Sequence, residues 1–456
     1  MRVKTNKDYI LGSRGLGPLA GALSAEAADM SAWLFMGLPG SIYLAGTGKG
    51  WIAVGLLAGT IANWVFVARK IRSKSIDLDD AQTLPQFFSR LTTTNSIKMR
   101  KALQIVVSLI IVLFFTIYTA SGFVAGAKFF SFIFQMPYFN AMCITALVVA
   151  IYTFLGGFLS ISWNSVVQGL LMLLSVVVVP ISALIILGGL TELTAVAPAP
   201  TPTQNSAVDV ISSLAWGLGY FGMPHIIIKY MAIKSEQSVK RGGVIAVAWC
   251  AISLGFAVLI GEVGRAFFRP DSANALDAKS AENVFTMLID HLFIQGEALN
   301  FPFLGGLFYC AILAAIMSTA ASQLLMASSS LTSDIYAGIF NPRATDKFKL
   351  WMSRVVVILV AVVAFVIAQN PDNSIMELVA NAWAGFGAAF GPLVLLGLYS
   401  KRVTAVGALA GMVVGVLTIL AFPFLNTGLY ELVPGFLLSL IVIYLVSKVP
   451  HRHISQ

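Results

Sequence analysis

Hydrophobic residues along this chain are gathered into long blocks, and short polar connections separate one block from the next. An α-helix needs about 20 apolar residues to cross the hydrocarbon core of a bilayer. We therefore predict an all-α polytopic membrane protein with about 12 transmembrane helices. The predicted spans 1 to 12 cover residues 19–46, 51–69, 101–133, 138–160, 163–188, 211–232, 240–268, 300–336, 350–369, 376–399, 404–423 and 427–448.

Two of these blocks, span 1 and span 6, contain residues that a continuous helix disfavours. Span 1 includes SAEAADMSAWLFMGLPG, in which we predict one break near Ala27–Ser31 and another at Gly37–Gly40. Span 6 reads LAWGLGYFGMPH and ends its glycine-rich part at Pro224. Broken helices at matching positions of two halves are typical of inverted-repeat transporters. Glycine in membrane helices also serves close packing, so the spacing alone leaves both interpretations open.

The positions of the broken spans indicate how the chain is divided. Span 6 opens a second set of five spans, which would enter the membrane with opposite polarity. We predict a single transporter domain over residues 1–456, with repeats over 19–188 and 211–399 and two further helices over 404–448.

The composition excludes a soluble protein of this length. Hydrophobic residues make up 58% of the 456 positions and charged residues 11%, and the mean hydropathy is +0.87. Nearly all of the chain lies in the predicted spans, which leaves no room for a soluble catalytic domain. The sequence also has no nucleophile elbow, Walker A sequence or HExxH motif, so we expect no enzymatic activity.

Basic residues predict the orientation of the chain. Lys and Arg number 29 against 20 Asp and Glu, and most of them lie in connections that would share one side of the membrane. By the positive-inside rule this side is cytoplasmic, so we expect a protein of the inner (plasma) membrane with both termini in the cytoplasm. The net charge then reflects topology, and we expect the lipid bilayer but no nucleic acid as a partner.

Three connections are long. Residues 70–100 are predicted to hold a short amphipathic segment around Leu84–Leu91 at the cytoplasmic surface. Residues 189–210 contain three prolines and are predicted to be an extended external linker. The connection over residues 269–299, which contains several acidic residues, is predicted to include a short external helix. Solvated connections without such elements remain the alternative.

Two carboxylates, Glu26 and Asp29, lie deep within span 1 on the same helical face. A buried carboxylate is costly unless a cation, a proton or a hydrogen-bond donor accompanies it. No lysine or arginine is expected within a span as a partner, since Lys128 lies close to the external end of span 3. A metal cation or a proton is the functional interpretation. Capping of unwound amides, or a hydroxyl from a neighbouring helix, is the structural one.

Polar and aromatic side chains of other spans complete the candidate site. Span 8 carries Ser318 and Thr319, and hard cations prefer oxygen ligands. Hydrogen bonding between helices is the alternative role of these hydroxyls. Trp216 and Tyr220 in span 6 and Tyr118 in span 3 are predicted to line a pocket for a small molecule.

Seven stretches of the chain resemble the sodium:solute symporter family in sequence and in order. They are DYILGSRGLGP, ALSAEAADMSAWLFMGLPG, LFFTIYTASG, YTFLGGFLSISW, WGLGYFGMPHI, AILAAIMSTAASQLL and AWAGFGAAFGP. The resemblance implies a leucine-transporter-type fold, a five-plus-five inverted repeat followed by two C-terminal helices. It also implies sodium-coupled uptake of L-proline by alternating access, with the sodium ion as the coupling ion.

The resemblance assigns roles to matching positions. It implies a sodium site made by the carbonyls of Ala27, Met30 and Ala315 and the hydroxyls of Ser318 and Thr319. Asp29 matches an aspartate needed for sodium coupling, and Ser31 a serine that affects ion and substrate affinity. The positions that match the lining of the proline pocket are Tyr118, Trp216, Tyr220 and Pro224. Arg14 matches a cytoplasmic arginine linked to ion release.

Departures from the family pattern modify these expectations. Glu26 stands where glycine is usual, and the added carboxylate could alter ion affinity or allow proton coupling. Ala28 and Ala32 replace a serine and a glycine. Ser165 replaces an aspartate that many relatives carry at a second cation position, so we expect one sodium ion per proline. Family members usually have one more N-terminal span, and we expect function without it.

The expected function is therefore sodium-driven proline uptake by a chain that works as a monomer. The same fold could instead carry another small solute or use protons through Glu26. A membrane sensor or a channel-like protein is the alternative from a different class. A sensor would need an appended signalling domain, and a channel a continuous polar pore.

Overall fold

The computed structural model describes residues 11–94, 96–196, 206–270, 275–295 and 299–449. Regular structure within these ranges is helical, with two isolated bridges that pair Leu16 with Ile233 and Thr93 with Thr404. Ten helical segments among the described residues are long and apolar enough to cross a membrane. The two parts of span 1 and the shorter span 12 complete the twelve predicted spans, and the all-α polytopic fold is confirmed.

The helix boundaries follow capping residues as well as hydropathy. The observed spans 1 to 12 are Pro18–Asp29 with Trp33–Ala45, Thr47–Asp77, Ile97–Phe134, Tyr138–Leu155, Phe158–Leu187, Ala207–Ala232, Glu236–Phe267, Pro302–Phe340, Asp346–Ala368, Ile375–Tyr399, Ala405–Leu425 and Leu432–Lys448. Spans 3, 7 and 9 begin four residues earlier than predicted. Ser96, Ser235 and Thr345 accept hydrogen bonds from backbone N–H groups there. A polar N-cap therefore starts each helix before its apolar block begins.

Span 1 is broken once, in the first of the two places predicted. Its first helix ends at Asp29, and Met30 leaves the helical conformation with φ −78° and ψ 75°. The prediction of a second break at Gly37–Gly40 is wrong, because a π-helical turn over Trp33–Gly37 continues directly into the helix Leu38–Ala45. Gly40 instead allows close packing, since a Cβ there would lie 2.9 Å from the carbonyl oxygen of Ala281.

Span 6 is broken as predicted. Its helices Ala207–Leu214 and Trp216–Gly219 are separated from the helix Pro224–Ala232, which begins with a proline whose missing N–H would have no helical partner. The glycines also serve packing: a Cβ on Gly217 would lie 2.2 Å from the carbonyl oxygen of Gly55 in span 2. The glycine-rich sequence therefore both breaks the helix and allows close packing against span 2.

The spans pack into two groups, and both broken spans belong to the first group. Spans 1 and 2 each pack against spans 6 and 7 in the first group, and span 3 packs against spans 8, 9 and 10 in the second. Span 5 packs against spans 1, 7 and 8, and spans 11 and 12 pair with each other beside span 10. We call the side at which spans 1, 3, 5, 7, 9 and 11 begin the basic face, and the other side the opposite face. The division into repeats over 19–188 and 211–399 stays a prediction.

The long connections contain short helices. The predicted segment Leu84–Leu91 is helical, and its apolar side is buried, with the rings of Phe88 and Phe390 5.2 Å apart. A short helix, Val284–Ile289, lies in the acidic connection as predicted. The first part of the proline-containing connection is a helix, Leu190–Val196, so the prediction of an extended linker is wrong there. Its three prolines lie outside the described residues.

Candidate ion and substrate site

The break in span 1 faces hydroxyl groups of span 8. The hydroxyl of Ser318 lies 2.6 Å from the carbonyl oxygen of Ala27 and 3.2 Å from that of Ala315. The neighbouring Thr319 is buried, and its hydroxyl oxygen has no hydrogen-bond partner among the residues that the structure describes. The structure thus brings Ala27, Ala315 and Ser318 together, with Met30 at the break itself and Thr319 next along span 8.

These oxygen atoms suit a hard cation of low charge. Carbonyl and hydroxyl oxygens carry no net charge, and they can replace the hydration shell of a monovalent ion. Among the residues that the structure describes, no group of three or more His, Cys, Asp or Glu could hold a metal ion.

Asp29 joins the two broken spans. Its carboxylate is fully buried, and one oxygen accepts a hydrogen bond of 2.6 Å from the hydroxyl of Tyr220. The other oxygen has no hydrogen-bond partner within the described part of the chain and lies 3.8 Å from Nε2 of His225. Its backbone carbonyl accepts hydrogen bonds from the indole of Trp33 at 3.1 Å and the hydroxyl of Tyr118 at 3.4 Å. Spans 1, 3 and 6 therefore meet at this residue.

Most of the predicted pocket residues surround this point. Ser31 is buried beside Trp33, whose backbone N–H donates to the serine hydroxyl at 3.4 Å. Pro224 is buried at the first turn of the second half of span 6. Trp216 lies farther out, where it lines a cavity of about 420 Å³ at the opposite face. Lys49, Asp209 and Glu431 supply charged groups to the same cavity.

Two aromatic residues that sequence reasoning missed complete this region. The indole N–H of Trp383 in span 10 donates to the carbonyl oxygen of Trp216 at 2.7 Å, and its ring centroid lies 5.1 Å from that of Tyr220. Gly219 makes room for it, because a Cβ there would overlap the indole nitrogen at 1.9 Å. Tyr430, in the connection between spans 11 and 12, stacks on Trp216. A tryptophan among glycines in AWAGFGAAFGP was a usable signal for Trp383, whereas Tyr430 had none.

Glu26 lies within the group of spans 1, 2, 6 and 7. One carboxylate oxygen accepts a hydrogen bond of 3.2 Å from the indole of Trp64 in span 2. The other is buried and has no hydrogen-bond partner in the described ranges. Trp64 in turn packs edge-on against Tyr230, with ring centroids 4.7 Å apart. Glu26 is one turn from Asp29, but its hydrogen-bond partner belongs to span 2 rather than span 6. Its role in coupling stays a prediction.

One lysine is buried within the spans. Lys229 in span 6 is 2% exposed, donates to the hydroxyl of Ser162 in span 5 at 2.8 Å, and lies 4.5 Å from the ring centroid of Phe158. Lys229 is thus a buried lysine within a span, but it does not act as the partner of the two carboxylates, for which no lysine was expected. Its hydrogen-bond partner is a hydroxyl, not Glu26 or Asp29.

Arg14 connects three segments at the basic face. Its guanidinium donates to Asp80 at 3.0 Å, to the hydroxyl of Ser75 at 2.9 Å and to the carbonyl of Met231 at 2.6 Å. Burial lowers the pKa of the guanidinium, and the carboxylate of Asp80 opposes that shift. Arg14 therefore ties the start of span 1 to the ends of spans 2 and 6. Its link to ion release stays a prediction.

Comparison with known sequences gives matches over nearly the whole chain. A family model described as the sodium:solute symporter family matches residues 9–415. The sodium/proline symporter of Escherichia coli (strain K12) is 42% identical over 460 residues, covering 98% of this chain and 89% of that protein. The osmoregulated proline transporter of Bacillus subtilis (strain 168) is 41% identical over 455 residues, covering 98% and 90%.

Solved structures give the same fold. A Na⁺-coupled sialic acid symporter in a substrate-bound outward-open state matches with a TM-score of 0.75 at 18% identity, covering 97% of this chain and 92% of that one. Mhp1, a nucleobase-cation-symport-1 family transporter, matches with a TM-score of 0.59 at 14% identity, covering 98% and 96%. At such identities the likeness concerns the fold alone, and it confirms the leucine-transporter-type fold.

Proposed function

We propose that this chain, which belongs to the sodium:solute symporter family, takes up L-proline together with sodium. Relatives named as proline transporters, at 41 to 42% identity over nearly the whole chain, support this substrate and ion. The observation that carries the proposal is the contact of Ser318 with Ala27, because it brings neutral oxygens of two spans together at a helix break. We further propose a plasma-membrane location with the basic face, and both termini, in the cytoplasm.

Sodium would bind between span 1 and span 8. Its proposed ligands are the carbonyls of Ala27, Met30 and Ala315 and the hydroxyls of Ser318 and Thr319. The unpartnered hydroxyl of Thr319 supports this set, because a buried polar atom without a partner is costly until an ion supplies one. Asp29 would contribute a negative charge from the adjoining turn.

One sodium ion per cycle fits the surroundings of Ser165. Its buried hydroxyl donates to the carbonyl oxygen of Ile161 in its own helix at 2.8 Å. A serine hydroxyl that donates within its own helix is a weaker ligand for a second cation than the negatively charged carboxylate that it replaces.

Proline would bind where spans 1, 3 and 6 meet. Its carboxylate would lie at the amide groups freed by the break in span 1, where the positive end of a half-helix favours an anion. The rings of Tyr118 and Tyr220 would flank the pyrrolidine, with Trp216 on the outer side and Pro224 on the inner side. All of these residues come from one chain, which supports a functional monomer.

The ion and the solute would stabilise the same conformation. Sodium links span 1 of one packing group to span 8 of the other, and the solute contacts spans of both groups. Each ligand therefore raises the affinity for the other by the same factor, as thermodynamic linkage requires. Movement of one group against the other would then open the site to the cytoplasm.

Proton coupling through Glu26 is the second candidate. The buried, unpartnered oxygen of this carboxylate is the observation that favours it. A different small solute on the same fold would leave the ion site unchanged.

Uptake into proteoliposomes distinguishes these functions. We expect labelled L-proline to accumulate under an inward sodium gradient, and a proton gradient alone to drive no accumulation. If a proton gradient drives accumulation and Glu26→Gln abolishes that accumulation, the coupling ion is the proton and not sodium. No proline uptake under either gradient, with uptake of another solute under sodium, would overturn the substrate and keep the ion.

A further inference from the structure

Tyr430 reaches the wall of the outer cavity from a connection outside the two predicted repeats. Its ring stacks on Trp216 with centroids 5.4 Å apart and an angle of 19° between the planes. Both residues line the cavity of about 420 Å³ at the opposite face. The connection between spans 11 and 12 therefore contributes an aromatic side chain directly to the route by which a solute from that side reaches the break in span 6.

Tyr430 is held by both packing groups. Its hydroxyl donates to the carbonyl oxygen of Ala380 in span 10 at 2.7 Å. Its backbone N–H donates to the hydroxyl of Ser212 in span 6 at 3.0 Å. Because spans 6 and 10 belong to different groups, a relative movement of the groups must change at least one of these bonds.

From Tyr430 a continuous series of contacts leads inward to the ion site. Trp216 accepts the hydrogen bond of Trp383 through its carbonyl oxygen, and the ring of Trp383 meets the ring of Tyr220 edge-on. Tyr220 donates to the carboxylate of Asp29 at 2.6 Å. While Tyr430 stacks on Trp216, these contacts therefore restrict the side-chain positions of the aromatic residues between the cavity and Asp29.

We infer that Tyr430 is the outer lid of the solute compartment and positions Trp216 over the bound solute. This inference rests on the proposed function, since it describes how an amino acid is retained at the proposed site. Tyr430 is a positioning residue: it acts through Trp216, and the ion ligands lie on the other side of the aromatic series. The spans that follow the two repeats would then serve to carry this lid.

Kinetics of sodium-driven proline uptake test the lid. Loss of one aromatic pair and one buried hydrogen bond in Tyr430→Ala should raise the external KM for proline about tenfold. The maximal rate per molecule and the sodium half-saturation should stay within about twofold, because the contacts of Tyr430 are with Trp216, Ala380 and Ser212, which are not proposed ion ligands. Tyr430→Phe keeps the stacking and should recover most of the affinity. Phe424→Ala, at a residue 83% exposed in the last turn of span 11, is the matched control.

An unchanged KM in Tyr430→Ala would overturn the inference. An equal fall of the maximal rate in Tyr430→Ala and Tyr430→Phe would also overturn it, because the aromatic ring would then have no specific role. If Tyr430→Ala does not reach the membrane, Tyr430→Leu takes its place, and a KM equal to that of the unmodified chain overturns the inference in the same way.

A second measurement needs no transported solute. Ser213 lines the cavity but is only 4% exposed, so a cysteine there should react slowly with a membrane-impermeant thiol reagent. Adding Tyr430→Ala should speed this reaction about tenfold, and an unchanged rate would overturn the lid. If the unmodified chain takes up no proline but this acceleration occurs, the proposed substrate fails and the lid stands.

Discussion

Replacing Ser318 by alanine tests the proposed ion site at its best-defined contact. The hydroxyl is one of the proposed sodium ligands, and in the structure it bridges span 8 to the carbonyl of Ala27 in span 1. An interaction of this kind with a charged group is worth about 1.5–3 kcal/mol. In the ion-free state the variant loses the hydrogen bond to Ala27, worth about 0.5–1.5 kcal/mol. Because this destabilises the state without sodium, it partly offsets the loss of sodium affinity.

The difference predicts a specific change in sodium dependence. A net loss of about 1–2 kcal/mol should raise the sodium concentration for half-maximal proline uptake about 5- to 25-fold. At saturating sodium the KM for proline and the maximal rate should approach those of the unmodified chain, because the solute contacts are intact. Uptake of labelled proline into proteoliposomes over a series of sodium concentrations measures both quantities.

Ser322→Ala is the matched control for this prediction. It removes a buried hydroxyl one turn along span 8, whose hydrogen bond, to the carbonyl of Ser318 at 2.9 Å, lies within the same helix. Its sodium dependence should stay within about twofold of the unmodified chain. Equal sodium dependence in the two variants would refute the assignment of Ser318 as a ligand.

Three further predictions address neighbouring features. Asp29→Asn should abolish sodium-stimulated uptake, and full sodium-driven uptake in this variant would contradict the proposed coupling. Tyr220→Phe removes only the hydrogen-bond donor to that carboxylate, so it should retain part of the uptake. Glu26→Gln should leave the sodium dependence of uptake unchanged between pH 6 and 8, and loss of uptake would point to protons. Gly217→Ala should destabilise the purified protein by about 1–3 kcal/mol through overpacking against span 2. Its thermal midpoint should fall below that of Gly255→Ala, where an added Cβ meets nothing within 4 Å, and equal midpoints would contradict the packing argument.

Local features of the sequence predicted the spans and one break in each critical helix. Hydropathy and length are properties of a short window, so they located twelve spans, and capping residues account for the early starts of spans 3, 7 and 9. The local rule failed at Gly37–Gly40. There a glycine and a proline mark a tightly packed helix instead of a break, because the nearest neighbour of Gly40 is backbone from a distant segment.

The candidate site was found from motifs rather than from pattern alone. The pattern pointed to the hydroxyls of Ser318 and Thr319 but left open whether they bind a cation or a neighbouring helix. The resemblance to a family supplied the carbonyl of Ala27 and assigned the two hydroxyls to an ion site. The burial of Lys229 could not be read from its place near the end of a span, because it depends on the hydroxyl that span 5 provides.

The sequence by itself determined that this chain crosses a membrane with about twelve helices, two of them broken, and carries two carboxylates at the first break. Only the tertiary structure decided what those carboxylates contact, because hydrogen bonds between helices join residues far apart in the chain. Asp29 bonds to Tyr220 in span 6 and Glu26 to Trp64 in span 2. Packing of spans that follow the predicted repeats likewise brings Tyr430 onto Trp216, a contact that no local pattern specifies.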